Sequence, residues 1–345
     1  MNEPDARRAD PSGPILAGDI GGTNARLAIV EERDGRLRVL DRRRYDSAAF
    51  EGLASVVGRF LDETPHRPRR GCLALAAPLR GGRWRFPNLD WLIEPDALRR
   101  EVGLPSLELV NDFDAVAHAI DWLEEDDVVA LTDAPPVPRA PRAVLGAGTG
   151  LGAAFAVWCG DGYRVVSSEG GHVDFAPVTE HGAGLLAFLR ARHGRVSCER
   201  VLSGAGLAAI YRYLAEAGVA PESERVRRRL EREDPAAVVA GLGMEGEDRL
   251  CTEALELFVT VYGAQAGNLA LLVQAHGGVF VAGGIAPRIL PKLRDGTFTR
   301  AFHDKGRLAD MMAEFPLLVI TRGEVGLLGA AAVARGLDPA RAPDR

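Results

Sequence analysis

Three short stretches hold the residue types that chemistry would need. In the first, Asp19 stands just before Gly21-Gly22-Thr23-Asn24. Glycines permit the positive φ angles of a tight turn. Backbone N–H groups exposed there can cradle phosphate oxygens, with Thr23 and Asn24 as further donors. A carboxylate at the mouth of such a turn suits a phosphate-bound Mg²⁺. An ordinary glycine-rich hairpin has the same local pattern. In the second, Asn111-Asp112-Phe113 falls at a predicted strand-to-helix junction. The helix dipole favours Asp112 as the carboxylate, able to accept a hydroxyl proton; a plain helix cap would read alike. In the third, Glu169 and His172 flank Gly170-Gly171, so an acceptor and a donor can converge on a polyhydroxyl ligand. No second spaced His or Cys accompanies His172, which argues against a metal site. Glu199, in Ser197-Cys198-Glu199-Arg200, reads locally as a solvated helix residue.

Two familiar phosphate-binding patterns are excluded. A dinucleotide fingerprint opens a helix after its glycines, whereas Ala25–Val30 continues as strand to an Asp34-Gly35 turn. A P-loop needs Gly-Lys-Ser/Thr, and Lys292 and Lys305, the chain's two lysines, stand in neither context. Phosphate chemistry here must use backbone donors and a metal.

The elements around these residues form a repeated pattern. Strands are predicted at Ile15–Ile20, Ala25–Glu31 and Leu37–Tyr45, then a helix over Ser47–Glu63, with Phe50, Leu53, Val57, Phe60 and Leu61 on one face. Strands at Cys72–Ala77 and Leu107–Val110 and a helix at Asp112–Leu123 follow. After the proline-rich stretch Asp133–Arg142 the opening recurs: Ala143–Leu145, the turn Gly146-Ala147-Gly148-Thr149-Gly150, and a strand at Leu151–Trp158. The two Gly-Thr turns are 126 residues apart, which predicts two related domains, each with one phosphate-binding hairpin. Asp19 is matched by Leu145, so only the first hairpin can carry the acid. The second half reads as mostly helical, with helices at Leu185–His193, Gly206–Glu216, Glu222–Arg232 and Glu247–His276, a strand at Gly278–Ala282 before Gly283-Gly284, a strand at Phe315–Thr321 and a small-residue helix at Gly326–Ala334. The Arg/Glu-rich 222–234 stretch reads as a solvated, salt-bridged face.

Composition bounds the rest. The chain has 345 residues, 47% hydrophobic and 26% charged, with a net charge of −6. It is long enough for two cores and gives no general attraction to nucleic acid or anionic membrane. Cys72, Cys159, Cys198 and Cys251 show neither zinc nor disulfide spacing, and each is expected as a small buried hydrophobe. With no apolar signal core and no apolar run of membrane-spanning length, a cytoplasmic protein is expected. Residues 1–13, polar with Pro and Gly, are expected to be a disordered tail.

The set Gly18-Asp19-Ile20-Gly21-Gly22-Thr23-Asn24-Ala25-Arg26, Asn111-Asp112-Phe113, Gly146-Ala147-Gly148-Thr149-Gly150-Leu151-Gly152, Glu169-Gly170-Gly171-His172-Val173-Asp174 and Gly283-Gly284-Ile285 resembles the bacterial glucokinase family, of the hexokinase–actin–chaperone ATPase superfamily. The resemblance runs in order from about Ile15 to Ala334. It implies an α/β fold with two actin-like, ribonuclease H-like lobes around a cleft, the second larger and more helical. The small domain would be 14–122 plus 323–337 and the large one 123–322. It implies transfer of the ATP γ-phosphoryl group to the 6-hydroxyl of D-glucose at the entry to glycolysis. Asp112 would then be the base, and Asn88, Asn111, Glu169, His172 and Glu199 would bind the sugar. Asp19 would hold Mg²⁺, while Gly21, Gly22, Thr23, Asn24, Gly148, Thr149 and Gly150 would face the phosphates and Gly283 and Gly284 the adenosine. A homodimer is also what the family implies. The rival readings are a kinase for another hexose and a non-catalytic sugar-responsive regulator; Asp19 and Asp112 together argue against the second. Thr321-Arg322-Gly323-Glu324 departs from the family, replacing the Asn-Pro usual before its last Gly-Leu-Leu-Gly.

Overall fold

The computed structural model describes residues 13–86 and 88–337, so most of the expected N-terminal tail, 1–12, lies outside the described residues. The chain divides into two compact units, one made of 1–124 and 322–345, the other of 125–321.

Unit 1 is built on a five-stranded sheet. Strands β1 (Ile15–Ile20), β2 (Asn24–Arg33) and β3 (Arg36–Asp46) form an antiparallel meander. Helix α1 (Leu53–Glu63) leads to β4 (Arg70–Leu75), which runs parallel to β1. A small ribbon follows, β5 (Leu79–Arg80), β6 (Arg83–Arg85) and β7 (Leu92–Ile93), then α2 (Pro95–Glu101). Strand β8 (Ser106–Asn111) pairs parallel with β4, giving the order β3-β2-β1-β4-β8, and runs directly into α3 (Asp112–Ala119).

Alternation along the strands sends each set of side chains to one face. Leu16, Ile20, Leu27, Ile29, Leu73 and Leu75 pack with α1, the ribbon and α2. Ile15, Ala17, Ala28, Cys72 and Ala74 face α3 and the C-terminal helix, Val325–Arg335. That second face is made of small residues because the helices lie close together. A Cβ on Gly329 would overlap the carbonyl oxygen of Ala115.

Unit 2 repeats the plan. Strands β9 (Val128–Ala130), β10 (Arg142–Ala147), β11 (Leu151–Trp158) and β12 (Tyr163–Ser168) precede α4 (Glu180–His193), α5 (Gly204–Glu216), α6 (Glu224–Leu230), α7 (Pro235–Glu245) and α8 (Arg249–Val273). Strand β13 (Val279–Ala282), helices α9 (Leu290–Arg294), α10 (Thr297–His303) and α11 (Ala309–Met312), and strand β14 (Leu317–Ile320) complete it. The sheet order is β12-β11-β10-β13-β14-β9. Setting aside β9, this is the unit 1 arrangement: an antiparallel meander with two parallel strands added beside its first strand.

Several expectations need correction. The predicted helix over Ser47–Glu63 is a 3₁₀ turn at Ser47–Ala49 and then α1. Asp46 accepts the Ala48 N–H while Ser47 turns its hydroxyl to Gly21, so the helix restarts only at Gly52. The predicted helix over Asp112–Leu123 tightens to 3₁₀ at Ile120–Trp122. The ribbon β5–β7 was not expected, because strands of two or three residues leave no readable alternation. Cys159 is exposed rather than buried, on the turn that Gly160 makes with φ +97°. Finally, α8 is, by length and composition alone, a helix that could cross a membrane. It is mostly buried, with Leu255, Phe258, Tyr262 and Ala266 in the core of unit 2, so its apolar character is used for packing. The 222–234 segment matches its expectation: Arg228 and Arg229 pair with Glu224 and Glu233 on an exposed surface.

Candidate active site

In unit 1 the first hairpin closes with Ile20 opposite Ala25, leaving Gly21–Asn24 as the turn. The Gly21 N–H donates to the Asn24 carbonyl (2.8 Å). Ser47, fully buried, anchors the turn twice: its hydroxyl donates to the Gly21 carbonyl (2.9 Å) and its N–H to that of Thr23 (3.0 Å). Arg44 Nε donates to Asn24 Oδ1 (2.8 Å), so β3 and the residue that follows it clamp both ends of the turn. Thr23 at the tip is exposed.

Asp19 lies on the face of β1 turned toward the C-terminal helix, where a Cβ on Gly326 would come within 3.1 Å of its Cγ. Arg26, directly across the hairpin, donates to Asp19 Oδ2 (3.1 Å). Burial pushes the Asp19 carboxyl up, Arg26 pulls it partly back, and the charge of Glu324 adds to the rise. Glu324 itself adopts the left-handed conformation (φ +60°) and pairs with Arg42.

Asp112 is the first residue of α3, and the cap is Asn111, whose Oδ1 accepts the Phe113 N–H (2.9 Å). The capping alternative therefore falls to the neighbour, and the Asp112 carboxyl is not used as the cap. Burial, and then the charge of Asp19, push its pKa up to about 7, against the opposing pull of the Phe113 N–H. The two acids thus share one end of the sheet, at the ends of β1 and β8. Asn88 is exposed on the turn between β6 and β7 and belongs to the ribbon.

In unit 2 the second hairpin turns through Gly148–Gly150, with Ala147 opposite Leu151. The Gly148 N–H donates to Gly150, and the Gly148 carbonyl accepts from the Gly204 N–H at the start of α5 (2.9 Å). Glu199 Oε2 accepts the Leu151 N–H (3.1 Å), and a Cβ on Gly150 would sit 2.5 Å from that oxygen. His172 lies between two acids, Nε2 at 3.7 Å from Glu169 and Nδ1 at 3.8 Å from Glu199. Its turn is compressed against β11, because a Cβ on Gly171 would overlap the Leu151 carbonyl. Gly283 (φ +85°) packs on Ala147, and the Gly284 N–H is 4.0 Å from the Cβ position of Gly148. All the predicted residues of this unit therefore gather at one end of its sheet. A single carboxylate on the first hairpin fits Mg²⁺, a hard cation that takes one or two carboxylates and completes its shell with water and phosphate oxygens.

A family model described as glucokinase matches residues 16–337. A glucokinase of Nostoc punctiforme is 40% identical over 339 residues, spanning 94% of this chain and 99% of its own. The chain belongs to the glucokinase family. Among solved structures, glucokinase from an Antarctic psychrotroph is 34% identical with a TM-score of 0.81, covering 93% of this chain and 98% of its own. A ROK family glucokinase from Streptomyces griseus, in complex with glucose and AMPPNP, shares the fold with a TM-score of 0.64 at 22% identity over 94% of this chain and 99% of its own. The α/β, actin-like fold and the glucose kinase class expected from the sequence are those of the family.

Ser47, Arg26 and Glu324 were missed in the sequence. Arg26 was findable, since a hairpin that turns at Gly21–Asn24 places it opposite Asp19. Ser47 and Glu324 approach the site through tertiary contacts and leave no local signal.

Proposed function

We propose that this enzyme transfers the γ-phosphoryl group of ATP to the 6-hydroxyl of D-glucose, with Asp112 as the base. The observation that carries the reading is the Asp112 carboxyl: half-buried, beside Asp19, at the start of a helix, and with a pKa pushed up to about 7. A base of that pKa is matched to accepting a hydroxyl proton near pH 7. Phosphoryl transfer passes through a loose transition state, so orientation and charge stabilisation count for more than base strength. The Gly21 and Gly148 N–H groups are spent inside their turns, so the exposed Thr23 and Thr149 and the other donors of the two turns would hold the phosphate oxygens, and Gly283 and Gly284 would lie against the adenosine. Asp19 would hold Mg²⁺, which neutralises phosphate charge when bound.

Asn88, Asn111, Glu169, His172 and Glu199 would bind sugar hydroxyls. Asn111 has its Oδ1 engaged in the cap, so it would offer its amide N–H groups. Glu169 and Glu199 would accept, with His172 between them. A sugar that lacks one of these hydroxyls, or points it elsewhere as an isomer of glucose does, would leave a polar group unpaired, which favours glucose. The AMPPNP and glucose bound to the Streptomyces griseus relative support the pair of substrates. A cytoplasmic homodimer accompanies this reading, and light scattering of the purified chain tests the assembly.

The test is turnover of glucose, mannose, fructose and N-acetylglucosamine with ATP, with Mg²⁺ and with EDTA. Fast, EDTA-sensitive turnover of glucose is expected. Tight glucose binding without turnover would remove the kinase reading and point to a regulator.

A further inference from the structure

The phenol of Tyr262 sits where two strands of unit 2 part. Strands β10 and β13 pair in parallel from Ala143 opposite Val279 to Gly146 opposite Ala282, and there the ladder stops. Beyond it β10 enters the Gly148–Gly150 turn and β13 swings away through Gly283, whose φ of +85° ends the strand. Two backbone groups at the fork have lost their ladder partners, the Ala147 N–H and the Ala282 carbonyl. Both meet the Tyr262 hydroxyl, which accepts from Ala147 N (3.0 Å) and donates to Ala282 O (3.3 Å). The Ala147 carbonyl in turn accepts the Ile285 N–H (3.2 Å), closing the connection on the far side of Gly283-Gly284.

The hydroxyl is placed there with little freedom. Tyr262 lies in the middle of α8 and is fully buried. Its ring meets Phe258 and Phe298 edge-on, with centroids 5.8 and 5.4 Å away. Gly263 lets α10 approach, since a Cβ there would overlap the Phe298 carbonyl. Burial holds the phenol in its neutral form, so it keeps the proton it donates. A buried donor or acceptor without a partner is costly, so a fork in a sheet needs such a bridge.

We infer that Tyr262 is a positioning residue for the nucleotide, its hydroxyl setting the separation of the Gly148–Gly150 turn from the Gly283-Gly284 turn. This rests on the proposal that those turns hold the phosphates and the adenosine of ATP. Ligands of open α/β sheets bind where neighbouring strands part at their carboxyl ends, and the fork at Ala147 and Ala282 is such a place.

Tyr262→Phe removes one oxygen and leaves the ring. It should raise the KM for ATP and the Kd for ADP about fivefold, the size of one lost buried hydrogen bond, while the KM for glucose stays within about twofold. A variant whose only defect is a loosened core would lower the melting temperature without this split. Thr149→Val tests the underlying reading. If it leaves the KM for ATP unchanged, the turns are not the nucleotide site and the inference falls with them. If it raises that KM while Tyr262→Phe does not, the reading stands and the inference alone is overturned. Should Tyr262→Phe not fold, the five tyrosines of the unmutated chain can be replaced by 3-fluorotyrosine. The ¹⁹F signal of residue 262, assigned by removing the other four in turn, should shift with ADP and stay still with glucose. A signal that ignores ADP would overturn the inference.

Discussion

In unit 1 the glycine hairpin turns at Gly21–Asn24 and carries Asp19; in unit 2 it turns at Gly148–Gly150 and has Leu145 at the matching place. Leu145 is fully buried in a core that includes α8, where a carboxylate would have no partner. Asp19 is only half-buried, the C-terminal helix meets it with Gly326, which has no side chain, and Arg26 reaches it from across the hairpin. The anchoring differs too. The first turn is held from the sheet edge by Ser47 and Arg44, the second from beneath by Glu199 and the start of α5. The same strand-turn-strand plan thus positions donors in both units, while the acids sit in one and the Glu169–His172–Glu199 set in the other. The repeat supplies geometry, and the packing behind each copy decides whether a charge can survive there.

If unit 1 carries the chemistry, Asp112→Asn should produce the largest loss, lowering kcat by about 10²- to 10⁴-fold while the Kd for glucose from calorimetry changes little. Substantial residual kcat would end the assignment of the base. The same variant should gain stability. A carboxyl whose folded pKa is raised from 3.8 to about 7 favours the folded state below pH 4, and that contribution is lost as pH rises through 7. Denaturant titrations should therefore find Asp112→Asn more stable than the unmutated chain by about 2 kcal/mol at pH 8, after allowance for partial exposure, and equal to it near pH 3.

Asp19→Asn removes the acid from the first hairpin, as in the second, and leaves Arg26 without its partner. The expected fall in kcat/KM is on the order of 10²-fold. It should also reach the pH profile. In the unmutated enzyme kcat/KM for glucose should drop below about pH 7 as Asp112 is protonated. Without the charge of Asp19 the Asp112 pKa falls, and that acid limb should move to lower pH. A limb that stays in place would separate the two acids.

Unit 2 should respond in binding rather than in rate. Glu169→Gln keeps the shape and loses the charge, so the KM for glucose should rise about tenfold with kcat within a few-fold. Unchanged steady-state constants would take Glu169 out of the sugar site. The smallest effect belongs to the turn tips: Thr23→Val and Thr149→Val should each raise the KM for ATP by about threefold. A response from Thr149→Val alone would show that the first hairpin takes no share of the phosphates.

Much of this molecule is legible along the chain because it is written in short-range terms. Strands Ile15–Ile20 and Leu151–Trp158 follow from apolar runs bounded by glycine turns, and the structure has them at those limits. The recurrence 126 residues apart exposes the doubled architecture, and the mismatch of Asp19 with Leu145 already tells the two hairpins apart. The glucokinase family itself was readable from motif order. Other features arise only when distant segments meet. That Asn111 and not Asp112 caps α3 is decided in the folded chain, where the Asn111 side-chain oxygen accepts the Phe113 N–H. The sequence predicts a helix from Ser47, and contact with a turn 26 residues earlier draws that residue out of one. Glu199 looks solvated until Gly150 makes room for it beside Leu151. Tyr262 is one more aromatic residue in an apolar helix until α8 carries its hydroxyl to Ala147, 115 residues away. Periodicity and turn chemistry are properties of neighbours in the chain, so the sequence alone determines the elements and the order of its motifs. Hydrogen bonds at a fork, a carboxylate's burial and the space left by a missing Cβ depend on neighbours in space, which only the packed tertiary structure decides.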